Sequence, residues 1–272
     1  MSEANLVDNT PTPGTIDSIK TDLISLGVQP GMILLVHSSL SKMGWVNGGA
    51  VSVILALEQV LGPEGTLVMP THNSGLSDPA KWMHPPVPKA WWETVRATMP
   101  PYDPSLTPTR KMGAIPECFR KQTGVLRSNH PQDSFAAYGV HADAITREHA
   151  LNHGLGKGSP LSKIYQLGGW VLLLGVGHEN NTSLHLAEYL ADYPGKKNEN
   201  NGAPITENGL RKWVQIEDIN LDSDDFDQIG ADFARDTGLQ KSRKVAQADA
   251  LLLPQKPLVD YAVDWMEKYR TD

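Results

Sequence analysis

Cysteine is nearly absent: Cys118 stands alone in 272 residues. A single thiol excludes an internal disulfide, so a reducing cytoplasm is the expected compartment. No apolar run approaches the ~20 residues needed to span a bilayer. The opening segment MSEANLVDNTPTPG is polar and acidic without an apolar core, so no signal peptide and no membrane partner are expected. Positive charge is in deficit, with 24 Lys and Arg against 31 Asp and Glu and a formal net charge of -7. Such a surface disfavours nucleic acid. It suits a cationic small molecule, or it serves solubility alone.

Several catalytic signatures are also missing. Gly175-Val176-Gly177 is not a dinucleotide fingerprint, because Asn180 occupies the third glycine position. Leu151 replaces the first glycine that a phosphate-binding Walker loop would need before Gly156-Lys157. There is no G-x-S-x-G elbow. Nine histidines invite a metal, but neither H-E-x-x-H nor a Cys/His ligand spacing occurs, so no metal is expected.

What is present centres on Gly168–Leu190, GGWVLLLGVGHENNTSLHLAEYL. Trp170–Leu174 reads as a buried strand closed by glycines. Asn181 or Thr182 can cap a helix whose first turn carries His185, with Glu188 three residues later on the same face. The unit delivers an imidazole and a carboxylate to the carboxyl edge of a sheet, where ligands bind in open α/β folds. The alternative is a core histidine satisfied by a backbone carbonyl.

Residues 1–14 read as a disordered arm, and 15–272 as one domain. Helical patterns cover Thr15–Leu26 and Ala50–Leu61, with strands at Met32–Val36 and Thr66–Met69. This crossover order predicts a parallel layer with helices packed on it. Residues 71–108 hold eight prolines from Pro79 to Pro108, together with Trp82, Trp91 and Trp92. They read as an ordered excursion, either a wall of the cleft or a surface cover. Further on, helices are expected at Ala114–Lys121, His141–Glu148, Pro160–Gln166, Phe226–Arg235 and Leu258–Tyr269. Strands are expected at Phe135–Tyr138 and Val245–Leu253, and Tyr193–Gly202 reads as a polar loop. Ala203–Ile205 and Lys212–Ile216 flank an Asn-Gly turn and read as a hairpin. The resulting fold class is three-layer α/β/α, with a mixed, largely parallel central sheet and an antiparallel hairpin addition.

His37-Ser38-Ser39-Leu40-Ser41 follows the first strand directly, with Gly44 after it. Successive N–H groups and hydroxyls at such a turn suit a pyrophosphate. A simple cap on a following helix is the competing and compatible reading.

These residues, in LLVHSSLSKMGWVNGGA, GPEGTLVMPTH, TPTRKMG, NHPQDSFAAYG, GLGKGSPLSKIY and LLLGVGHENNTSLHLAE, resemble the aminoglycoside 3-N-acetyltransferase family from about Thr15 to Trp265. The resemblance implies a three-layer α/β/α fold, acetyl-coenzyme A as donor and an amine of a polycationic aminoglycoside-type antibiotic as acceptor. It implies that His37 and Ser38–Ser41 with Gly44, together with Thr109 and Arg110, hold the coenzyme. His185 would be the catalytic base. The family's late acid falls at Glu217-Asp218, with Asp218 favoured to orient His185 and Glu217 and Glu188 as alternatives. Glu64, His72, Asp78 and Glu217 are candidate contacts for the acceptor. The oligomeric state stays open between monomer and homodimer.

The residue chemistry agrees. An amine protonated near neutral pH must lose a proton before attacking a thioester, and imidazole is suited to take it. A neighbouring carboxylate fixes the tautomer. The rival readings are a non-catalytic or differently specific small-amine binding protein of the same fold and, more weakly, a metal-dependent hydrolase.

Overall fold

The computed structural model describes residues 3–271. In chain order, α1 (Glu3–Asp8) and α2 (Ile16–Leu26) precede β1 (Ile33–Ser38), α3 (Gly49–Leu61) and β2 (Thr66–Pro70). The proline-rich segment contributes α4 (Trp92–Thr98) and is followed by α5 (Ala114–Phe119), β3 (Leu126–Arg127), β4 (Phe135–Gly139), α6 (Ala142–Thr146) and α7 (Pro160–Gln166). Then come β5 (Trp170–Leu174), α8 (Thr182–Leu190), β6 (Asn198–Glu207), β7 (Leu210–Ile219), α9 (Phe226–Thr237), β8 (Lys241–Val245), β9 (Ala248–Pro254) and α10 (Gln255–Tyr269).

Seven strands form the central sheet in the order β3-β4-β2-β1-β5-β9-β8, and β6-β7 form a separate two-stranded sheet. Side chains alternate across the strands. Leu34, Val36, Leu67, Leu172 and Leu252 therefore share one core with α2, α3 and α5. Ile33, Leu35, Val68, Val171 and Leu253 share the other with α6 to α10. These two cores make the three layers. Each fully buried Leu or Ile among them contributes about 1.5–3 kcal/mol.

Within the central sheet, parallel pairing is confined to the two flanks of β1, with β2 and with β5. The pairs β2–β4, β3–β4, β5–β9 and β8–β9 are antiparallel. The sheet is thus mixed as expected but mostly antiparallel, since only the first crossovers return the chain in the same direction. β8 escaped the sequence pattern because its Lys241–Lys244 stretch is an exposed edge with no buried side. Part of the expected polar loop, Asn198–Gly202, is strand β6. The hairpin turn is Asn208-Gly209 at φ 52° and 77°, the geometry that an Asn-Gly turn favours.

The proline- and tryptophan-rich excursion packs on this hairpin. Asp78 N–H donates to Asn201 Oδ1 at 3.0 Å, Tyr102 N–H to Pro204 O at 3.1 Å and Arg211 Nε to Met99 O at 2.7 Å. Among the described residues, no helix is long and apolar enough to cross a membrane.

Residues 3–14, read from the sequence as part of a disordered arm, make defined contacts with the rest of the protein. Besides α1, Gly14 N–H donates to Trp45 O at 2.9 Å, Trp45 N–H to Thr10 Oγ1 at 2.8 Å and Gln247 Nε2 to Asn9 O at 3.0 Å. Gly44 sits beneath this arm at φ 75°, where a Cβ would lie 2.7 Å from Gln247 Oε1 and 2.9 Å from Thr10 Oγ1. Its role is to let the arm and the β8–β9 turn close over the chain, which corrects the expectation that it lets backbone approach a ligand. Gly44→Val should therefore lower the melting temperature, with backbone strain alone costing about 1–2 kcal/mol. The folded fraction should keep its coenzyme affinity, as calorimetric titration beside a thermal melt would report.

Candidate active site

β1 lies between its two parallel partners, so the carboxyl ends of β2, β1 and β5 open on one edge. In open α/β sheets that edge receives ligands. A cleft of about 540 Å³ sits there, lined by His37 through Ser41 after β1, Pro70 at the end of β2, Val176 and Asn180 after β5, Lys111 to Ala114, and Thr182. Ser39 N–H donates to Leu174 O at 2.9 Å, tying the serine loop to the end of β5. The Ser39 and Ser41 hydroxyls are 3.2 Å apart, and Ser38 Oγ is buried with no protein partner.

Two of the expected coenzyme contacts lie elsewhere. The Thr109 N–H and hydroxyl both donate to Glu117 Oε2, at 2.8 and 2.9 Å, so this side chain is spent on fixing α5. Arg110 lines a neighbouring cleft of about 460 Å³ with Lys81, Trp82 and His84. The next residue, Lys111, lines both clefts.

Asn181 caps α8 by accepting from Ser183 N–H at 3.2 Å. Thr182, at the start of the helix, faces the cleft and lies 3.3 Å from His37 Nε2. His185 follows one turn later on the same face. Its Nδ1 is 2.5 Å from Glu188 Oε2, and its ring packs against Phe226 at 4.8 Å. Glu188 is completely buried. Its Oε1 accepts from Arg270 Nη1 at 2.7 Å and from Asp222 N–H at 2.9 Å. Beside an ionised Glu188, which could only accept, the ring proton would lie on Nδ1 and leave the Nε2 lone pair free.

Asp218, the acid favoured for this role, is bonded instead to the Tyr189 hydroxyl and to Ile219 N–H. It meets α8 beside the dyad rather than at it. Glu217 faces the opposite side of β7, as strand alternation requires, and is exposed while its carbonyl accepts from His153 N–H at 2.9 Å. Asp133, which the sequence pattern did not single out, stands close enough to Asp218 and His185 for their charges to interact. Burial pushes its carboxyl up, and His130 is its strongest opposing influence. The missed signal was an acid placed two residues before a buried strand.

Of the three other proposed acceptor contacts, two are displaced. Glu64 is exposed in the turn before β2, at the end of the strand opposite the cleft. Asp78 caps a short 3₁₀ turn and pairs with Arg96 at 2.8 Å, so its charge is already matched. His72 does approach the site. Its Nε2 is buried without a protein partner, and its pKa falls well below the ordinary value through burial and then the charges of His37 and His185.

Two further histidines are held by structural contacts. His130 Nδ1 accepts from Asp133 N–H at 2.8 Å, which places the ring proton on Nε2, facing Leu151 O at 3.0 Å. His130 stacks on His149 with centroids 4.6 Å apart.

The family described as Aminoglycoside 3-N-acetyltransferase matches residues 35–267. This chain belongs to it. A Bacillus subtilis prophage-derived aminoglycoside N(3')-acetyltransferase-like protein, YokD, is 45% identical over 96% of this chain and 95% of its own length. Its crystal structure superposes with a TM-score of 0.95 over 98% of both chains. Aminoglycoside N(3)-acetyltransferase VII of Streptomyces paromomycinus is 36% identical over 98% of this chain and 96% of its own. AAC-IIIb in its binary complex with CoASH matches at TM-score 0.85 and 31% identity, covering 96% and 98% of the two chains. AAC-VIa bound to sisomicin matches at 0.86 and 26%, covering 96% and 100%.

Two predictions arise from this geometry. Glu188→Gln should lower kcat on the order of 10²-fold or more, because the amide also donates and no longer enforces the tautomer. Asp218→Asn should leave kcat within a few-fold, since it does not touch His185, and steady-state kinetics of the two variants separate the roles.

The second concerns acid. Burial holds both His37 and His149 down at about 3, helped by His185 and His130 respectively. In the unfolded chain each would titrate near 6.5. The unfolded state therefore takes up protons first, so stability is full above about 6.5 and is lost as pH falls toward about 3. Melting temperature measured across that range should decline, and His149→Gln should flatten the decline.

Proposed function

We propose that the protein transfers an acetyl group from acetyl-coenzyme A to an amine of an aminoglycoside-type antibiotic, and so confers resistance. The observation that carries this reading is the His185–Glu188 contact, an imidazole one turn along from a cleft-lining threonine and held by a fully buried carboxylate. Family membership and the CoASH- and sisomicin-bound relatives support it.

The serine loop fits the coenzyme. Ser38 Oγ is buried at the cleft without a protein partner, and Ser39, Ser41 and Lys111 add donors and a positive charge around the same cleft. Those groups would hold the phosphate-bearing portion, as such turns do. When bound, the coenzyme supplies the activated acyl group and carries off the thiol.

The remaining work belongs to the protein. Glu188 keeps the imidazole proton on Nδ1, so Nε2 of His185 can accept a proton from the acceptor's ammonium and release the amine lone pair. The imidazolium that results is stabilised by the same carboxylate. Asp133 and Asp218 supply negative charge beside the base, and the unpartnered Nε2 of His72 offers a further polar contact. Such an arrangement draws a polycation and leaves one of its amines near His185.

His185→Ala should lose roughly 10²–10⁴ in kcat, the range for a removed general base. Coenzyme affinity should be largely kept, since the serine loop is separate. Thiol release from acetyl-coenzyme A with a panel of aminoglycosides, run with and without chelator, is the measurement. Full turnover in folded His185→Ala would place the base elsewhere, and binding without thiol release would leave only a binding protein.

A further inference from the structure

Glu188 has no exposed surface, and a carboxylate shielded from water is stable only when its charge is matched. The match comes from the far end of the chain. Arg270 follows α10 directly and lies beyond residue 267, where the family match ends. Its donors are divided between two acids. Nε and Nη2 form a fork on Asp225, at 2.7 Å to Oδ2 and 2.6 Å to Oδ1, and Nη2 also reaches Asp222 O at 2.9 Å. Nη1 is left for Glu188 Oε1. The Tyr193 ring lies 5.0 Å from the guanidinium, and the side chain is only 12% exposed. Asp225, Arg270, Glu188 and His185 thus form one continuous line of charge-assisted bonds ending at the proposed base.

The other charged groups near the dyad are mostly acids. Asp222 and Asp225 approach from the segment before α9, and Asp133 from the turn before β4 interacts with His185. His37 on β1 and His72 after β2 face His185 and are held neutral. Lys196 touches the Glu188 carbonyl, not its carboxylate. Tyr193 contributes a ring face. Among the described residues, the cation on the Glu188 carboxylate besides the imidazole is Arg270.

We propose that Arg270 is a positioning residue for the acetyl transfer. By holding Glu188 ionised it keeps the proton of His185 on Nδ1 and the lone pair on Nε2. Without the guanidinium, a proton settling on Oε2 would be donated to Nδ1. The ring would then carry its own proton on Nε2, facing the acceptor, and could no longer take one from it. The inference rests on His185 acting as the base.

The test compares Arg270→Gln and Arg270→Lys in the full chain, with kcat and KM measured from pH 5 to 9 and folding followed by thermal melts. Removing an opposite charge at this range raises the proton affinity of the dyad by about one to three pH units. The acid limb of kcat should move up by that amount in Arg270→Gln. At pH 7 kcat should fall about tenfold or more, recover toward high pH, and leave the coenzyme KM within twofold. Arg270→Lys should restore most of the profile. Nitrogen-15 spectra of the imidazoles, read without coenzyme, should show His185 shifting from the Nδ1–H toward the Nε2–H form in Arg270→Gln. An unshifted profile and unchanged tautomer in folded Arg270→Gln would overturn the proposal. So would a loss that is equal at all pH and follows the unfolded fraction. If Arg270→Gln fails to fold, Asp225→Asn, which loosens the fork while keeping the cation, decides by the same two readouts. His185→Ala run in parallel separates the failures. If it stays fully active, the base assignment itself fails. If it is inactive while Arg270→Gln is normal, only Arg270 loses its role.

Discussion

A carboxylate removed from water must have its charge matched, and satisfying Glu188 draws together parts of the chain that are distant in sequence. α8 supplies the acid and the imidazole one turn apart. The segment before α9 supplies a backbone N–H through Asp222, and the residue after α10 supplies the guanidinium. Each partner is needed because an unmatched buried charge would otherwise be neutralised. The last helix therefore cannot drift from α8 without exposing or discharging the centre of the site. This gives the carboxyl terminus a chemical connection to the cleft as well as a packing role.

The sheet determines where that centre lies. β1 is the one strand with parallel neighbours on both sides, so the ends of β2, β1 and β5 point to the same edge. α3 leaves from β1 to one face of the sheet, and α8 leaves from β5 to the other. Between the two departures a crevice is unavoidable, and the serine loop and the first turn of α8 line it. The antiparallel additions extend the sheet away from this point. The β6–β7 sheet and the proline-rich excursion then build upward beside it, bringing Asp218 to Tyr189.

Much of the fold and the local contacts of the candidate site were legible because they obey short-range rules. An apolar run between glycines, an Asn cap and an i,i+3 His/Glu pair are visible within twenty residues, and β5, α8 and the His185–Glu188 contact all follow from them. The Asn208-Gly209 hairpin and the serine loop after β1 are of the same kind. Sheet direction was less legible, since β4 and β9 have the apolar composition of parallel strands yet arrive through connections that reverse them.

What required the tertiary structure were the partnerships between acids and cations. Asp218, Asp78, Thr109 and Gly44 each carry the residue type a site needs, but Tyr189, Arg96, Glu117 and the amino-terminal arm use them first. Arg270 and Asp133 show the converse, with no local pattern and a place beside the His185–Glu188 pair. Periodicity and capping depend on neighbours within a few positions, so the sequence alone determined most of the elements and the His185–Glu188 pair on α8. The charge on a buried group depends on whatever the fold brings within a few ångströms, from any distance along the chain. That part was decided only when α10 packed against α8.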